Sequence, residues 1–441
     1  MKILHSADWH IGHQLYGCNR IEEFGDACRQ VVDIVRDERP DAVVIAGDIY
    51  DTTTPSAEAE KLFVQTLLQI SDAVPGITIV AIAGNHDSAG RQDAHSALWK
   101  RAGIHVIGGI VNRENYDDDD VKDQAALPAD EDMHADTDEI LAEKYVFEVP
   151  ERGYIIAIPY ANRFVAVDKL CARLTAIVDR LNHSNLPVVM VTHATVDEIV
   201  SDNYADTAAG YGGSISTIQR GDDEHPVIGT VEGRSLSMWG SGYDYLALGH
   251  IHGRYVRRDE PSQSTAAYSG SLLPVNFDQA NSVHGVYIVD IPGHKTGTIS
   301  LNFKEITPLR VLQTIPRRGT YTCDEALDAL SRYHCDRESY VRLKIKQKDP
   351  LPQGFAVQAR KVVDDHDRRC IISTVEYEAE RDAVDAVAAA TRLTFSDFDT
   401  MTPTDMAELY ARTKGLSVWD DDCKERLLEA VSEIEEEKRT R

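Results

Sequence analysis

Apolar and polar positions in the first hundred residues follow two alternating periods. The runs Ile3 to Ala7, Ala42-Val43-Val44-Ile45-Ala46 and Ile77 to Ala83 are almost continuously apolar. That pattern predicts strands covered on both faces of a sheet. Between the first two runs, Phe24, Ala27, Cys28, Val31, Val32 and Val35 recur at helical spacing and predict a helix over Ile21 to Glu38, stopping before Pro40. Thr54-Pro55 offers an N-cap and a first-turn proline for a second helix through about Ser71. This βαβαβ rhythm implies right-handed crossovers, with the loops after the strands gathered on the edge where open α/β sheets place ligands.

The rhythm breaks over 112–143, an Asp-rich stretch that reads as a solvated, mobile surface insertion. It resumes with strands at Ile155 to Pro159, Pro187 to Thr192 and Tyr245 to Leu248. A Gly-, Asp- and Ser-rich long loop over 203–226 intervenes. Alternating strands follow at Ala266 to Ser269, Val283 to Ile291 and Thr298 to Ile306. A change of composition near Thr307-Pro308 divides the chain into a first domain over 1–306 and a small α/β unit over 307–395. The unit contains strands at Val311 to Ile315, Tyr340 to Ile345 and Thr374 to Glu378 and a helix near Cys323 to Tyr333. The tail, 396–441, reads as helical. Thr402-Pro403 opens one helix with Met406, Leu409 and Tyr410 on a stripe, and a second near Asp420 carries Cys423, Leu427, Leu428, Val431 and Ile434.

Composition narrows the class. At 441 residues the chain exceeds one ordinary core. No apolar run approaches the ~20 residues that span a membrane, and the N-terminus opens on a strand without a signal core, so a cytoplasmic location with no membrane partner is expected. The seven cysteines are scattered and never spaced Cys-x-x-Cys, which suits reduced thiols. A net charge of −27 would ordinarily argue against nucleic acid. It is unevenly placed, however: 114–143 holds 13 acidic residues and one lysine, whereas 304–369 holds 14 basic and 10 acidic residues. Charge alone therefore neither establishes nor excludes DNA.

Chemistry concentrates where apolar strands end. Asp8-Trp9-His10, Gly47-Asp48-Ile49-Tyr50-Asp51, Gly84-Asn85-His86-Asp87, Thr192-His193 and Gly249-His250-Ile251-His252 all place oxygen or imidazole donors there. Taken singly, Asp8 or His193 reads as a turn residue or a satisfied core group, and Gly47 to Asp51 as a turn with an Asx cap. Together they supply what a two-metal phosphoesterase needs: a bridging carboxylate and a few ligands for each ion, which generate hydroxide and neutralise charge developing in line. Asp8, His10, Asp48, Asn85, His193, His250 and His252 form a sufficient set. Period-two spacing sends Asp8 and His10, and likewise His250 and His252, to one side of an extended segment. Mixed N and O donors suit Mn²⁺, Fe²⁺ or Zn²⁺ better than Mg²⁺ or Ca²⁺. His86 lies outside the ligand list and suits general-acid work on the leaving alkoxide, with a hydrogen-bonded supporting role as its alternative. Asp51 and Asp87 are better placed to orient ligands than to be ligands, and His5 reads as a core histidine.

This motif set resembles the calcineurin-like metallophosphoesterase superfamily, with D-x-H, G-D-x-x-D, G-N-H-D, a strand-end His and G-H-x-H in order. Within it, Lys2 to Gly12, Ala46 to Thr52, Ala83 to Ser88, Asp244 to His252 and Tyr268-Ser269-Gly270-Ser271 with Asn276-Phe277-Asp278 are similar to the SbcD-like family of bacterial nuclease subunits. The resemblance covers most of 1–310 and rests on layout beyond. It implies an α/β fold: a metallophosphoesterase β-sandwich flanked by helices, a small α/β capping domain and a C-terminal helical partner-binding segment. It implies one metal on Asp8, His10 and His252, another on Asn85, His193 and His250, Asp48 bridging them, and His86 as the catalytic histidine. It also implies Mn²⁺-dependent DNA cleavage, 3′-to-5′ on duplex ends and endonucleolytic on single strands and hairpins. The expected assembly is a homodimer joined to two SbcC-like ATPase subunits through the C-terminal helices, on the nucleoid when DNA is bound. Asp51 stands where archaeal and eukaryotic relatives carry His, which favours the bacterial branch. The 112–143 and 203–226 segments exceed what the family needs. A cyclic-nucleotide phosphodiesterase or phosphoprotein phosphatase would share the metal site, although phosphoprotein phosphatases usually carry Glu where Asp87 stands and Arg-Gly where Thr52-Thr53 stand. A non-catalytic scaffold would have lost ligands that this chain keeps.

Overall fold

In the computed structural model, residues 1–110, 135–162, 165–199, 233–259, 264–366 and 369–379 are described. The acidic stretch up to 134, the 203–226 loop and the 396–441 tail lie outside them.

The apolar runs become the inner strands of two six-stranded sheets. The first has the order Ser300–Glu305 (β14), Gly285–Asp290 (β13), Lys2–Ser6 (β1), Ala42–Ala46 (β4), Thr78–Ile82 (β5) and Ile104–Ile107 (β6). Strands β1, β4, β5 and β6 are parallel, with Ile3 opposite Ala42 and Ala42 opposite Thr78. The second runs Tyr255–Asp259 (β11), Ser264–Tyr268 (β12), Tyr245–Gly249 (β10), Val188–His193 (β9), Gly153–Ile158 (β8) and Val146–Val149 (β7). The sheets face each other across one core, with Ile3, Val44, Ala46, Val80 and Ile82 of the first buried with residues of β8, β9 and β10.

Helices cover the outer faces. Helix α1, Ile21–Glu38, buries Phe24, Ala27, Cys28, Val31, Val32 and Val35 as its spacing predicts, and ends at a left-handed Arg39. Helix α2, Ala57–Ala73, departs from expectation at its start. Ser56, not Thr54, is the N-cap, because its hydroxyl accepts the Ala59 N–H at 3.2 Å, so Pro55 precedes the cap. Two short helices, Ala89–Asp93 (α3) and Ser96–Arg101 (α4), lead into β6. Helices α5, Ala135–Tyr145, and α6, Val167–Leu181, cover the second sheet. The layers thus run helix, sheet, sheet, helix. The expected insertion over 112–143 is corrected at its end: from Ala135 onward it is helix α5. Leu141 is buried there, and Asp138 pairs with Arg173 and Arg180 of α6, so part of the acidic stretch is tied to the body.

Residues 311–379 build a separate three-stranded parallel sheet, Val311–Ile315 (β15), Ser339–Gln347 (β16) and Cys370–Ala379 (β17), with helices Cys323–Arg332 (α7) and Phe355–His366 (α8) and a core of its own. Thr322 and Glu325 form a capping box at the start of α7. The unit meets the body through Leu312 and Tyr340, which pack with Leu15 and Phe277. Leu15 belongs to a small hairpin, Gln14–Leu15 (β2) and Cys18–Asn19 (β3).

Candidate metal centre

Strands of the two sheets end at the same place. The loop after β1 carries Asp8 and His10, and the loop after β4 carries Asp48. Asn85 and His86 follow β5, His193 closes β9, and His250 and His252 follow β10. Backbone bonds tie the first two loops together: Asp8 N–H to Gly47 O, His10 N–H to Asp48 O and Ile11 N–H to Ile49 O, each 3.0 Å. The side chains converge because the backbone turns sharply. Asp8, His10 and Asp48 take left-handed φ of 51°, 45° and 49°, and His250 reaches 98°. Such conformations cost about 1–3 kcal/mol each and collect at functional sites. Gly47 and Gly84 permit the approach of neighbouring strands. A Cβ at Gly47 would meet the His193 ring, and one at Gly84 would meet the Asp48 carboxylate and backbone nitrogen.

All seven sequence-selected donors come together, in groups sharing a centre. Asp8, His10 and His252 form one cluster and Asp48, His193 and His250 another, while His86 lies close to His10 and Asp48. In the first, His10 Nε2 and His252 Nε2 are 3.0 Å apart, and Asp48 Oδ2 lies 3.7 Å from His10 Nε2. In the second, Asn85 Oδ1 is 2.9 Å from His193 Nε2 and 3.0 Å from His250 Nδ1, with Asp48 Oδ2 3.3 Å from His193 Nε2. Asp48 touches both groups.

Each central carboxylate is held at one oxygen and open at the other. Asp8 Oδ1 accepts the His250 N–H and Asp48 Oδ1 the His86 N–H, both at 2.9 Å. Their Oδ2 atoms are buried without a hydrogen-bond partner, as is His10 Nδ1. An unpaired buried carboxylate oxygen is costly, and a divalent cation is the partner that satisfies it. The ionisable groups also shift one another. Burial raises Asp8 to about 6, with Asp48 adding to the rise and His193 opposing it. For His10 and His193, burial alone would lower the pKa, but the carboxylates outweigh it and both rings are raised to about 9. Burial pushes Asp48 up, and the charges of His193, His10 and His86 pull it well below the usual carboxylate range. The residues fit divalent metal: mixed oxygen and imidazole donors with mutual separations near 3 Å, and carboxylate oxygens left without a hydrogen-bond donor.

The supporting residues sit around this cluster. Asp87 accepts from Ile49 N–H and Gly84 N–H with Oδ2 and from Tyr50 N–H with Oδ1, at 3.0, 2.8 and 3.0 Å, so it pins the β4 loop to the β5 loop. Asp51 Oδ1 lies 3.5 Å from His10 Nδ1, an electrostatic contact rather than a formed hydrogen bond. Its backbone oxygen is 2.9 Å from His86 Nδ1. His193 Nδ1 faces Ala46 O at 2.8 Å, which turns Nε2 toward Asp48. His5 stays in the core, bonded to Tyr245 Oη and Leu248 O and lowered by burial to about 3. Sequence reasoning missed Gln279, whose Nε2 lies 3.1 Å from His252 Nδ1, and His13, which lines the adjoining cleft. Gln279 gives no signal of its own. It follows the quoted Asn276-Phe277-Asp278 string, and only the fold brings it to His252. The cleft, about 750 Å³, opens beside His10, His86 and His252 and is walled by Asp51, Thr52 and Ser56.

Residues 1–254 match the family described as calcineurin-like phosphoesterase, and the chain belongs to that family. Among its relatives is a protein from Bacillus subtilis (strain 168) named as the SbcD component of nuclease SbcCD. It is 28% identical over 448 residues, covering 99% of each chain. A protein of the same name from Rhodobacter capsulatus is 28% identical over 334 residues, 75% of this chain and 76% of that one. Among solved structures, the crystal structure of TT1561 of Thermus thermophilus aligns over 69% of this chain and 99% of its own, at 10% identity and a TM-score of 0.37.

Proposed function

We propose that this chain is a metal-dependent DNA nuclease, the phosphodiester-cleaving subunit of an SbcC–SbcD-type complex. The observation that carries the chemistry is the meeting of Asp8, His10, Asp48, Asn85, His193, His250 and His252 around two unpaired carboxylate oxygens. The nuclease assignment is supported by the relatives named as the SbcD component of nuclease SbcCD, one of them matched over the full length. On this reading Asp8, His10 and His252 hold one ion and Asn85, His193 and His250 the other, with Asp48 between them. Two divalent ions bound there, taken as Mn²⁺, would supply a nucleophilic water at neutral pH and would neutralise charge at the phosphate. The His86 N–H holds Asp48 by Oδ1, so Oδ2 would be the oxygen offered to the ions, and Asp87 keeps that loop registered. His86 Nδ1–H donates to Asp51 O, so a doubly protonated His86 would have its Nε2–H left to give to the departing alkoxide oxygen in the cleft and would be left neutral, with its remaining proton on Nδ1. The 311–379 unit stands beside the body as the capping domain, and charge alone does not set the choice of DNA end.

The test is digestion of linear duplex DNA with and without Mn²⁺, beside a small phosphodiester ester. Wild-type protein is expected to degrade DNA only with the metal, and Asp48→Asn, which removes one negative charge from between the proposed cation positions, should lose both activity and bound metal. Cleavage of the ester with no action on DNA under any condition would instead favour a small-molecule phosphodiesterase. For the partner, we assign the 396–441 segment to docking on the SbcC-like ATPase within a dimer-based complex, because the two short helices its sequence predicts, each with a single apolar stripe, would have little stability alone. Truncation before Thr402 should spare Mn²⁺-dependent nuclease activity of the isolated protein and abolish co-purification with the ATPase. A truncated chain that still assembles refutes the assignment.

A further inference from the structure

We propose that Gln279 is a positioning residue for His252 and that its amide keeps the Asp8–His10–His252 position the weaker of the two metal sites. The inference rests on the reading of these clusters as metal sites. Gln279 is fully buried. Its Oε1 accepts the Val275 N–H at 3.0 Å and its Nε2 lies 3.1 Å from His252 Nδ1. The segment that carries it is fixed on both sides. The Asn276 side chain accepts from Asp278 N–H and Gln279 N–H at 3.0 and 3.2 Å, and Arg20 Nη1 donates to Pro274 O at 2.7 Å. Ser271 N–H donates to His252 O at 3.2 Å, so the ring and the amide belong to one rigid loop pair.

An imidazole that gives a lone pair to a cation carries its ring proton on the other nitrogen, and that N–H needs an acceptor. In His252 the nitrogen facing His10 is Nε2, so the proton belongs on Nδ1, against Gln279. An amide has one oxygen, and the Val275 N–H claims it. With the oxygen toward Val275, the amide N–H meets the ring N–H; turned over, it meets the Val275 N–H instead. Either way two buried donors face each other when His252 adopts its metal-binding tautomer. The other cluster has no such conflict at His193, whose Nδ1 faces a backbone carbonyl, Ala46 O, at 2.8 Å. A carboxylate at position 279 would accept from Val275 and His252 together.

The experiment titrates full-length wild type, Gln279→Glu and Gln279→Leu with Mn²⁺ by calorimetry, with the electron paramagnetic resonance of bound Mn²⁺ as the second readout. Wild type is expected to bind two ions with unequal affinity. Gln279→Glu should tighten the weaker site ~10-fold or more and leave the tighter one unmoved, while Gln279→Leu, which removes the opposing donor without supplying an acceptor, tightens that same site by a smaller factor. Two sites insensitive to residue 279 overturn the inference while leaving the metal reading intact. A tighter Glu variant beside an unchanged Leu variant reduces the effect to added charge and also overturns it. Absence of stoichiometric Mn²⁺ binding by wild type, or binding unaffected by Asp48→Asn, overturns the metal reading itself. If the Leu variant fails to fold, Gln279→Met, which likewise carries no amide donor, takes its place and is read in the same way.

Discussion

At the scale of single residues, the proposed site separates groups that would hold a cation from one, His86, that would move a proton. Asp48 and Asp8 each spend one oxygen on a backbone N–H and leave the other without a hydrogen-bond partner, so on the proposed reading a change at either should alter metal binding before chemistry. His86 differs. Its ring reaches the cleft and is anchored by Nδ1 to Asp51 O at 2.9 Å, while its backbone N–H supports Asp48. His86→Ala keeps the backbone bond and removes only the ring. The expected outcome is two Mn²⁺ ions still bound, seen by anomalous scattering, with DNA cleavage slowed ~10²-fold or more. An ion lost from its position in the variant would make His86 a ligand, a role its closeness to His10 and Asp48 keeps within reach. The residues selected from sequence were legible because they sit in strings with fixed spacing. Gln279 was not, because its partner His252 is 27 residues away and a glutamine closing the short helical turn Phe277–Gln279 looks like surface.

At the scale of elements, legibility followed periodicity. Continuous apolar runs announced β1, β4, β5, β9 and β10, and α1 came out with the bounds its spacing predicts. Those elements position the metal cluster, so the candidate site was readable before the fold was. Helix α6 was missed, although it buries Val167, Leu170, Cys171, Leu174, Ile177 and Val178 on one face, a pattern obscured by the charged residues between them. Helix α8 went unread because Gly354 and the Pro350–Pro352 region ahead of it signal a loop. Strand β7 and helix α5 were hidden by the acidic run, where composition outweighed pattern. Asp138 shows why composition alone misleads: an acidic residue in an apparent solvated insertion pairs with two arginines of the next helix. Such partly exposed pairs contribute roughly 0–1 kcal/mol each, enough to orient α5 but not to fold it.

At the scale of the whole molecule, the three-stranded unit and the metal loops share one buried ionic cluster. Arg20 and Glu23, at the start of α1, are both fully buried and paired at 3.0 Å. Glu23 Oε1 accepts the Tyr340 hydroxyl at 2.6 Å, reaching across to β16, while Arg20 Nη1 holds Pro274 O in the loop leading to Gln279. Arg310, between the two units, lies 3.7 Å from Glu23 and 2.9 Å from Glu22. Spaced three apart on a helix, Arg20 and Glu23 look in sequence like a solvated surface pair; the docking of the second unit buries them. Removing one partner from a buried pair leaves an uncompensated charge, which costs about 3–5 kcal/mol. Glu23→Leu is therefore expected to lower the denaturation midpoint by that equivalent, whereas Tyr340→Phe, which deletes one hydrogen bond to a charged acceptor, should cost about 1.5–3 kcal/mol. The two losses should be strongly non-additive in a double-mutant cycle, since both act on one carboxylate. Additive losses would mean that the unit docks through Leu15, Phe277, Leu312 and Tyr340 packing alone, and that the ionic cluster serves only the loop beneath the metal site.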